Sequence, residues 1–155
     1  MKYIPLTKGK YAIVDDDDFE YLNQWKWCMT GFYAGRGIGN YKNRGRIYLH
    51  RVIMGEPKGS EVDHINFDKL DNRKSNLRVC SKADNRRHVG LRKNNTSGFK
   101  GVSWHKLVKK WYATIQVDGK QISKGWFENR IDAAKEYDRL SKKYHGDFAH
   151  LNLNI

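Results

Sequence analysis

Residues 62–85 read VDHINFDKLDNRKSNLRVCSKADN, and the first half of the chain takes its fold from this stretch. Asp63-His64 closes a short strand-like run, a loop rich in Asp and Asn follows, and Leu77-Arg78-Val79 reads as a second short strand. Ser81-x-x-Asp84 has the form of a capping box opening a helix, which puts Asn85 about one turn inside it. A hairpin backed by a helix can aim Asp63, His64 and Asn85 at one point. Those residue types suit phosphodiester hydrolysis. An imidazole titrates near neutrality and can serve as general base on a water. A carboxylate and an amide oxygen suit a hard divalent ion that keeps positions open for water and phosphate oxygens. An isolated Asp-His pair would carry no such meaning; the spacing over the whole stretch does.

Upstream, Tyr11 to Asp15 is strand-like, and DFEYLNQW reads as a short helix capped from the run Asp15 to Asp18. Four adjacent carboxylates cannot all face one ion, so that run is read as a solvated cap. Phe32 to Gly35 and Arg46 to Leu49 read as strands joined by a Gly-rich, basic loop. Cys28 and Cys80 lie far apart with no CxxC pairing, so they read as ordinary thiols.

Downstream, the basic segment 86–93 and the run Asn94-Asn95-Thr96-Ser97-Gly98 read as a linker. A division into 1–94 and 95–155 is expected, with the nuclease-like core at about 60–90. In the second part, Val102 to His105, Trp111 to Val117 and Lys120 to Phe127 read as strands. Asp118-Gly119 is a hairpin turn, because a type I′ turn needs positive φ at both central positions. Asn129-x-x-Asp132 caps a helix with apolar positions Ile131, Ala134, Tyr137, Leu140 and Tyr144, stopped by Gly146. The expected class is α+β, the second part being a three-stranded antiparallel sheet packed on one helix. Alternation puts Trp111, Ala113, Ile115 and Val117 on a core face, with Tyr112, Thr114 and Gln116 on the other. Ser103, His105, Gln121 and Ser123 join the polar set, whose side chains can meet base edges. Lys106, Lys109, Lys110, Lys120 and Lys124 are placed to meet phosphates. Trp104, Trp111, Trp126 and Phe127 are assigned to the core.

The net charge of +13 over 155 residues, spread along the whole chain, favours a polyanionic partner. No stretch approaches the roughly 20 apolar residues that span a bilayer. The N-terminus has no apolar signal region, so an intracellular, membrane-free location is expected.

The stretch DHIN…DNRKSNLR…SKADN resembles the HNH endonucleases with a ββα-metal fold, particularly the homing enzymes of phages and mobile introns. The resemblance implies that His64 is the general base, Asp63 and Asn85 hold the metal, and Asn76 braces the loop and orients the base. It implies one divalent ion, Mg²⁺ ahead of Mn²⁺, and one strand cut per site, with a monomer or weak dimer acting on double-stranded DNA. Tyr48-Leu49-His50-Arg51 is a frequent companion of this motif, and His50 is read as structural. Arg51, Arg73, Arg78, Arg86 and Arg87 are expected to grip phosphates. Residues 98–152 resemble the Apetala-two/ethylene-response-factor DNA-binding domain, through Lys100-Gly101-Val102, Gly125-Trp126-Phe127, Ala133-Ala134-x-x-Tyr137-Asp138 and His145-Gly146-Asp147-Phe148-Ala149. That family reads DNA with the sheet, but the Arg residues it uses are missing from these strands. The rivals are a non-enzymatic DNA-binding regulator, against which the complete motif speaks, and an RNA-binding protein, which would be expected to carry RNP-like aromatic motifs.

Overall fold

The computed structural model describes residues 1–40 and 43–153, so Tyr41 and Lys42, within the expected basic loop, lie outside the described residues. Two compact units emerge, Met1–Lys82 and Ala83–Ile155. No helix among the described residues is long and apolar enough to cross a membrane.

In the first unit, β1 (Lys2–Pro5) and β2 (Tyr11–Val14) pair antiparallel, with Ile4 opposite Ala12. Their alternation buries Ile4, Ala12 and Val14. The helix α1 (Asp16–Leu22) follows and contributes Leu22 to the same core. Asp15 occupies the N-cap position, yet its side chain makes no cap hydrogen bond. Its carboxylate instead accepts from the Lys74 amide at 2.8 Å, and Asp18 accepts from Lys74 Nζ at 2.7 Å. The acidic run, expected as a solvated cap, therefore anchors the far loop of the hairpin at 62–80. Trp27 is buried and donates its indole N–H to the Leu22 carbonyl at 2.8 Å, which gives the polar handle of a core Trp its partner.

A three-stranded antiparallel sheet follows, in the order β3 (Cys28–Thr30), β4 (Tyr33–Ile38), β5 (Gly45–Tyr48). The chain passes directly from β5 into the short helix α2 (Leu49–Ile53). The hairpin expected from the sequence is β6 (Glu61–His64) paired antiparallel with β7 (Leu77–Cys80).

The second unit opens with α3 (Lys82–Arg87), the helix that carries Asn85. Its sheet runs β8 (Val102–His105), β9 (Lys110–Val117), β10 (Lys120–Phe127), antiparallel throughout with β9 central. Asp118 and Gly119 both have positive φ, 47° and 78°, as the type I′ reading requires. The helix α4 (Arg130–His145) packs on the sheet, capped by Asn129, whose side chain accepts from Ile131 N at 2.6 Å. Val102, Ala113, Ile115, Ala133, Ala134, Tyr137 and Leu140 form the core. Ile131 does not join them; it is exposed. Gly101 sits at φ 69°, and a Cβ there would collide with the Tyr137 ring, so this close approach requires glycine.

Two further expectations fail. Trp104 and Trp126 are 44% and 52% exposed rather than core residues. The cause for Trp126 is a bulge: Lys124 opposes Ala113, but Phe127 rather than Trp126 opposes Trp111. One extra residue reverses the alternation and turns Trp126 toward the polar face.

Candidate active site

His64 ends β6 opposite Leu77 and has no exposed surface. Its position is fixed from an unexpected direction. Ile13 of β2 donates its amide to Leu70 O and accepts from the Asn72 amide, both at 2.8 Å, which lays residues 70–72 alongside β2. Asn72, fully buried, then donates its side-chain N–H to Leu70 O at 2.9 Å. That leaves Asn72 Oδ1 facing His64 Nε2 at 3.3 Å. An acceptor there assigns the proton of a neutral imidazole to Nε2 and leaves the Nδ1 lone pair open. His64 Nδ1 is buried and without a hydrogen-bond partner among the described residues. Burial pushes the His64 pKa below its ordinary value, the Asn72 bond opposes this, and the Lys69 charge lowers it further. His64 is therefore neutral at pH 7.

A ring of aromatic groups encloses it. His50 of α2 lies edge-on with ring centroids 5.1 Å apart, and Tyr33 is 5.1 Å from His50 and 6.0 Å from His64. Tyr48 stacks on His50 at 5.7 Å. Burial, aided by the charges of His64, Arg51 and Lys69, pushes His50 down to about 3. Lys69 Nζ lies 5.9 Å from the centroid of the Tyr33 ring.

Asp63, directly before the base, is buried and opposite Arg78 in the hairpin register. Its Oδ2 accepts from Arg78 Nε at 3.1 Å and Nη2 at 2.8 Å. A buried carboxylate needs such a cation beside it. Asn76 closes the loop: its Oδ1 accepts from the Asn66 amide at 2.9 Å and its Nδ2 donates to Asp71 O at 2.8 Å. Arg73 grips Asp71 with Nε at 2.8 Å and Nη2 at 2.7 Å, which lowers the Asp71 pKa. Arg51 donates to Ser60 O at 3.1 Å and Pro57 O at 2.8 Å, bracing the loop before β6.

The first unit thus brings together Asp63, His64, Asn76, Arg73 and Arg78, while Asn85 lies on α3 of the second unit. Among the described residues no three His, Cys, Asp or Glu side chains converge as a metal cage. The donors present fit a hard ion that retains water better than a closed zinc site. Asp63 supplies a carboxylate, and the open Nδ1 of His64 beside it is free to act on a water.

In the second unit the register gathers Ser103 with Tyr112, Ser123 with Thr114, Gln121 with Gln116, and His105 with Lys110 on one face. Trp126 joins them, 5.1 Å from His105 and 5.6 Å from Tyr112 between ring centroids. Lys124 is exposed but opposite Ala113, on the other side of the alternation. Lys106 is exposed in the turn between β8 and β9, and Lys110 pairs with Glu128 at 2.9 Å. Arg86 is exposed, whereas Arg87 pairs with Asp84 at 2.7 Å and Asp118 at 3.3 Å. Arg86, Arg87, Arg92, Gln116 and Gln121 share the wall of a cleft of about 890 Å³. Burial pushes Lys100 down to about 8, so it is still charged at neutral pH, and its Nζ donates at 2.6 Å to both Arg87 O and Val89 O.

Asn72, Tyr33, Lys100 and Arg92 escaped the sequence reading. The Asp71-Asn72 pair was visible, but nothing local ties it to β2.

Residues 48–87 match the family described as HNH endonuclease. Protein 3.8 of Escherichia phage T7 is 35% identical over 95 residues, which cover 60% of this chain and 76% of that protein. An uncharacterized HNH endonuclease, L560, of Acanthamoeba polyphaga mimivirus is 29% identical over 150 residues, 92% of this chain and 74% of the relative. APETALA2-like protein 2 of Oryza sativa subsp. indica is 32% identical over 63 residues, 41% of this chain but 14% of that protein. No solved structure matches the chain.

Proposed function

The chain belongs to the HNH endonuclease family, and from that premise we propose that it is a metal-dependent, site-directed DNA endonuclease of the homing type, nicking one strand per active site. The observation that carries this reading is the polarity of His64: Nε2 committed to Asn72, Nδ1 buried and open. A neutral imidazole so held takes a proton from water at Nδ1 while the Nε2–H bond to Asn72 stabilises the imidazolium that forms. Full burial makes the pocket poor in water, so its wall must admit one water and one phosphate oxygen.

A divalent ion, Mg²⁺ by the hardness of the donors, would be held by Asp63 and would stabilise charge at the phosphate. The spacing of the motif nominates Asn85 as a second ligand and implies the ββα-metal arrangement. Arg78 keeps Asp63 ionised and aimed. Asn76 and Arg73 act through the loop, holding Asn66 and Asp71, and need not touch DNA. The polar face of the second unit, with Arg86 and Arg92 at its cleft, supports a DNA-reading role, and its Gln side chains suit adenine.

The test is nicking of supercoiled plasmid by wild type and His64→Ala, each in Mg²⁺ and in EDTA. Wild-type nicking in Mg²⁺ alone is expected, with His64→Ala losing cleavage but still binding DNA. Nicking that survives either EDTA or His64→Ala overturns the reading.

A further inference from the structure

Five non-glycine residues among those described have positive φ, and Phe67, at 67°, is the one with an apolar side chain. A bulky side chain in the left-handed region is an outlier, and turns at such positions ordinarily take Gly or Asn. The loop imposes the conformation. Asn66 Oδ1 accepts from Asp68 N at 2.8 Å, spanning Phe67, while the Phe67 amide donates to His64 O at 3.1 Å. The Asn66 amide is in turn held by Asn76 at 2.9 Å. Burial does not explain the choice of residue, because Phe67 is 40% exposed and Ile65 beside it is 43% exposed. Strain of this kind persists where the surroundings over-determine it, and it concentrates at functional sites.

We propose that Phe67, with Ile65 at its side, is a wedge that packs against a base step of DNA next to the phosphate delivered to His64. This rests on the nuclease reading. A phosphate that reaches His64 brings its flanking nucleotides to the loop 65–68, and the apolar surface a duplex offers there is its base step. Apolar side chains inserted between base steps are an established way to kink and grip a duplex. The chain's net charge of +13 supplies the attraction for the backbone. The polar groups of the loop are spent on one another, which leaves the exposed ring of Phe67 as its contact with the strand. Phe67 thus registers the scissile phosphate against His64.

Phe67→Asn separates contact from fold, because Asn accepts the left-handed conformation. The melting temperature of Phe67→Asn should not fall, while nicking should drop roughly tenfold, the order expected for one lost base contact. Phe67→Trp, which keeps an aromatic face, should stay within about threefold of wild type by the same reasoning. A second readout does not need cleavage. Mixed-sequence duplex carrying 5-iodouracil is irradiated with wild type in Ca²⁺, and cross-linked tryptic peptides are identified by mass spectrometry. Cross-links in peptide 59–69 that vanish in Phe67→Asn support the wedge, even if no condition yields nicking and the nuclease reading fails. Cross-links confined to residues beyond 83, or Phe67→Asn nicking at the wild-type rate, overturn it.

Discussion

At the scale of single residues, the pocket around His64 is built to keep imidazoles neutral, and this has a cost in acid. His50 titrates near 3 in the folded chain against 6.5 for an unperturbed histidine. Above pH 6.5 both states are neutral and the group is indifferent. Below it the unfolded chain takes a proton that the folded chain refuses, so stability falls with pH down to about 3, by about 1.4 kcal/mol per unit. Denaturant midpoints between pH 7 and 4 should slope accordingly, and His50→Phe should flatten that slope; equal slopes would show that His50 is not the sensor. His64 shifts in the same direction and adds to the effect. Asn72→Ala removes the acceptor from Nε2, and nicking should fall about 10- to 100-fold, as for other groups that orient a functional histidine. Asn72→Asp, which keeps an acceptor, should recover part of it, and equal rates in the two variants would deny Asn72 its orienting role. Asp63 and His64 were readable because adjacent residue types and spacing announce them. Asn72 was not, because a backbone exchange with Ile13 puts it there, and no pattern in the sequence records which loop lies beside which strand.

At the scale of elements, legibility followed locality. The β9–β10 hairpin and α4 were readable because Asp118-Gly119 and Asn129 act within a few residues of themselves. The bulge between Lys124 and Phe127 defeats period-two reasoning, and with it the assignment of Trp126 to the core. The same locality accounts for α3, six residues long and with no buried side chain of its own. Its last carbonyl is held by Lys100, whose backbone N–H donates to Asn152 Oδ1 at 2.7 Å, and Arg87 reaches Asp118 at the hairpin tip. A short helix without packing is marginal by itself. Lys100→Met should therefore strip hydrogen-exchange protection from the amides of α3 while the β9 amides keep theirs. Unchanged protection across α3 would mean that the helix is held by something else. Gly101→Ala, by contrast, should unfold the whole second unit, since a Cβ meets both the Tyr137 ring and the Thr114 carbonyl.

At the scale of the whole chain, composition marks 94–98 as a linker, yet the structure uses those residues as a turn. Asn95 Oδ1 accepts from the Gly98 amide at 2.7 Å and Asn95 Nδ2 donates to Phe99 O at 2.9 Å. Ser97, 1% exposed, donates to the same carbonyl at 2.9 Å. Asn, Ser and Gly serve flexible linkers and tight side-chain-to-backbone turns alike, so composition cannot separate the two. The compact unit begins at Ala83 instead. Two fragments decide which boundary matters. A fragment of 83–155 carries fifteen basic and seven acidic residues, a net +8. It should melt cooperatively and bind duplex DNA with an affinity that falls steeply with salt. A fragment of 96–155 keeps the sheet and α4 but leaves the buried Lys100 ammonium without its two carbonyl acceptors, so it should be less stable by about 1–3 kcal/mol. Equal melting of the two would place the working boundary near 95 and make α3 a passenger. A longer fragment that melts higher, together with loss of nicking in 1–94, would mean that the C-terminal unit does more than find the target. It would supply the support on which the last helix of the HNH motif depends.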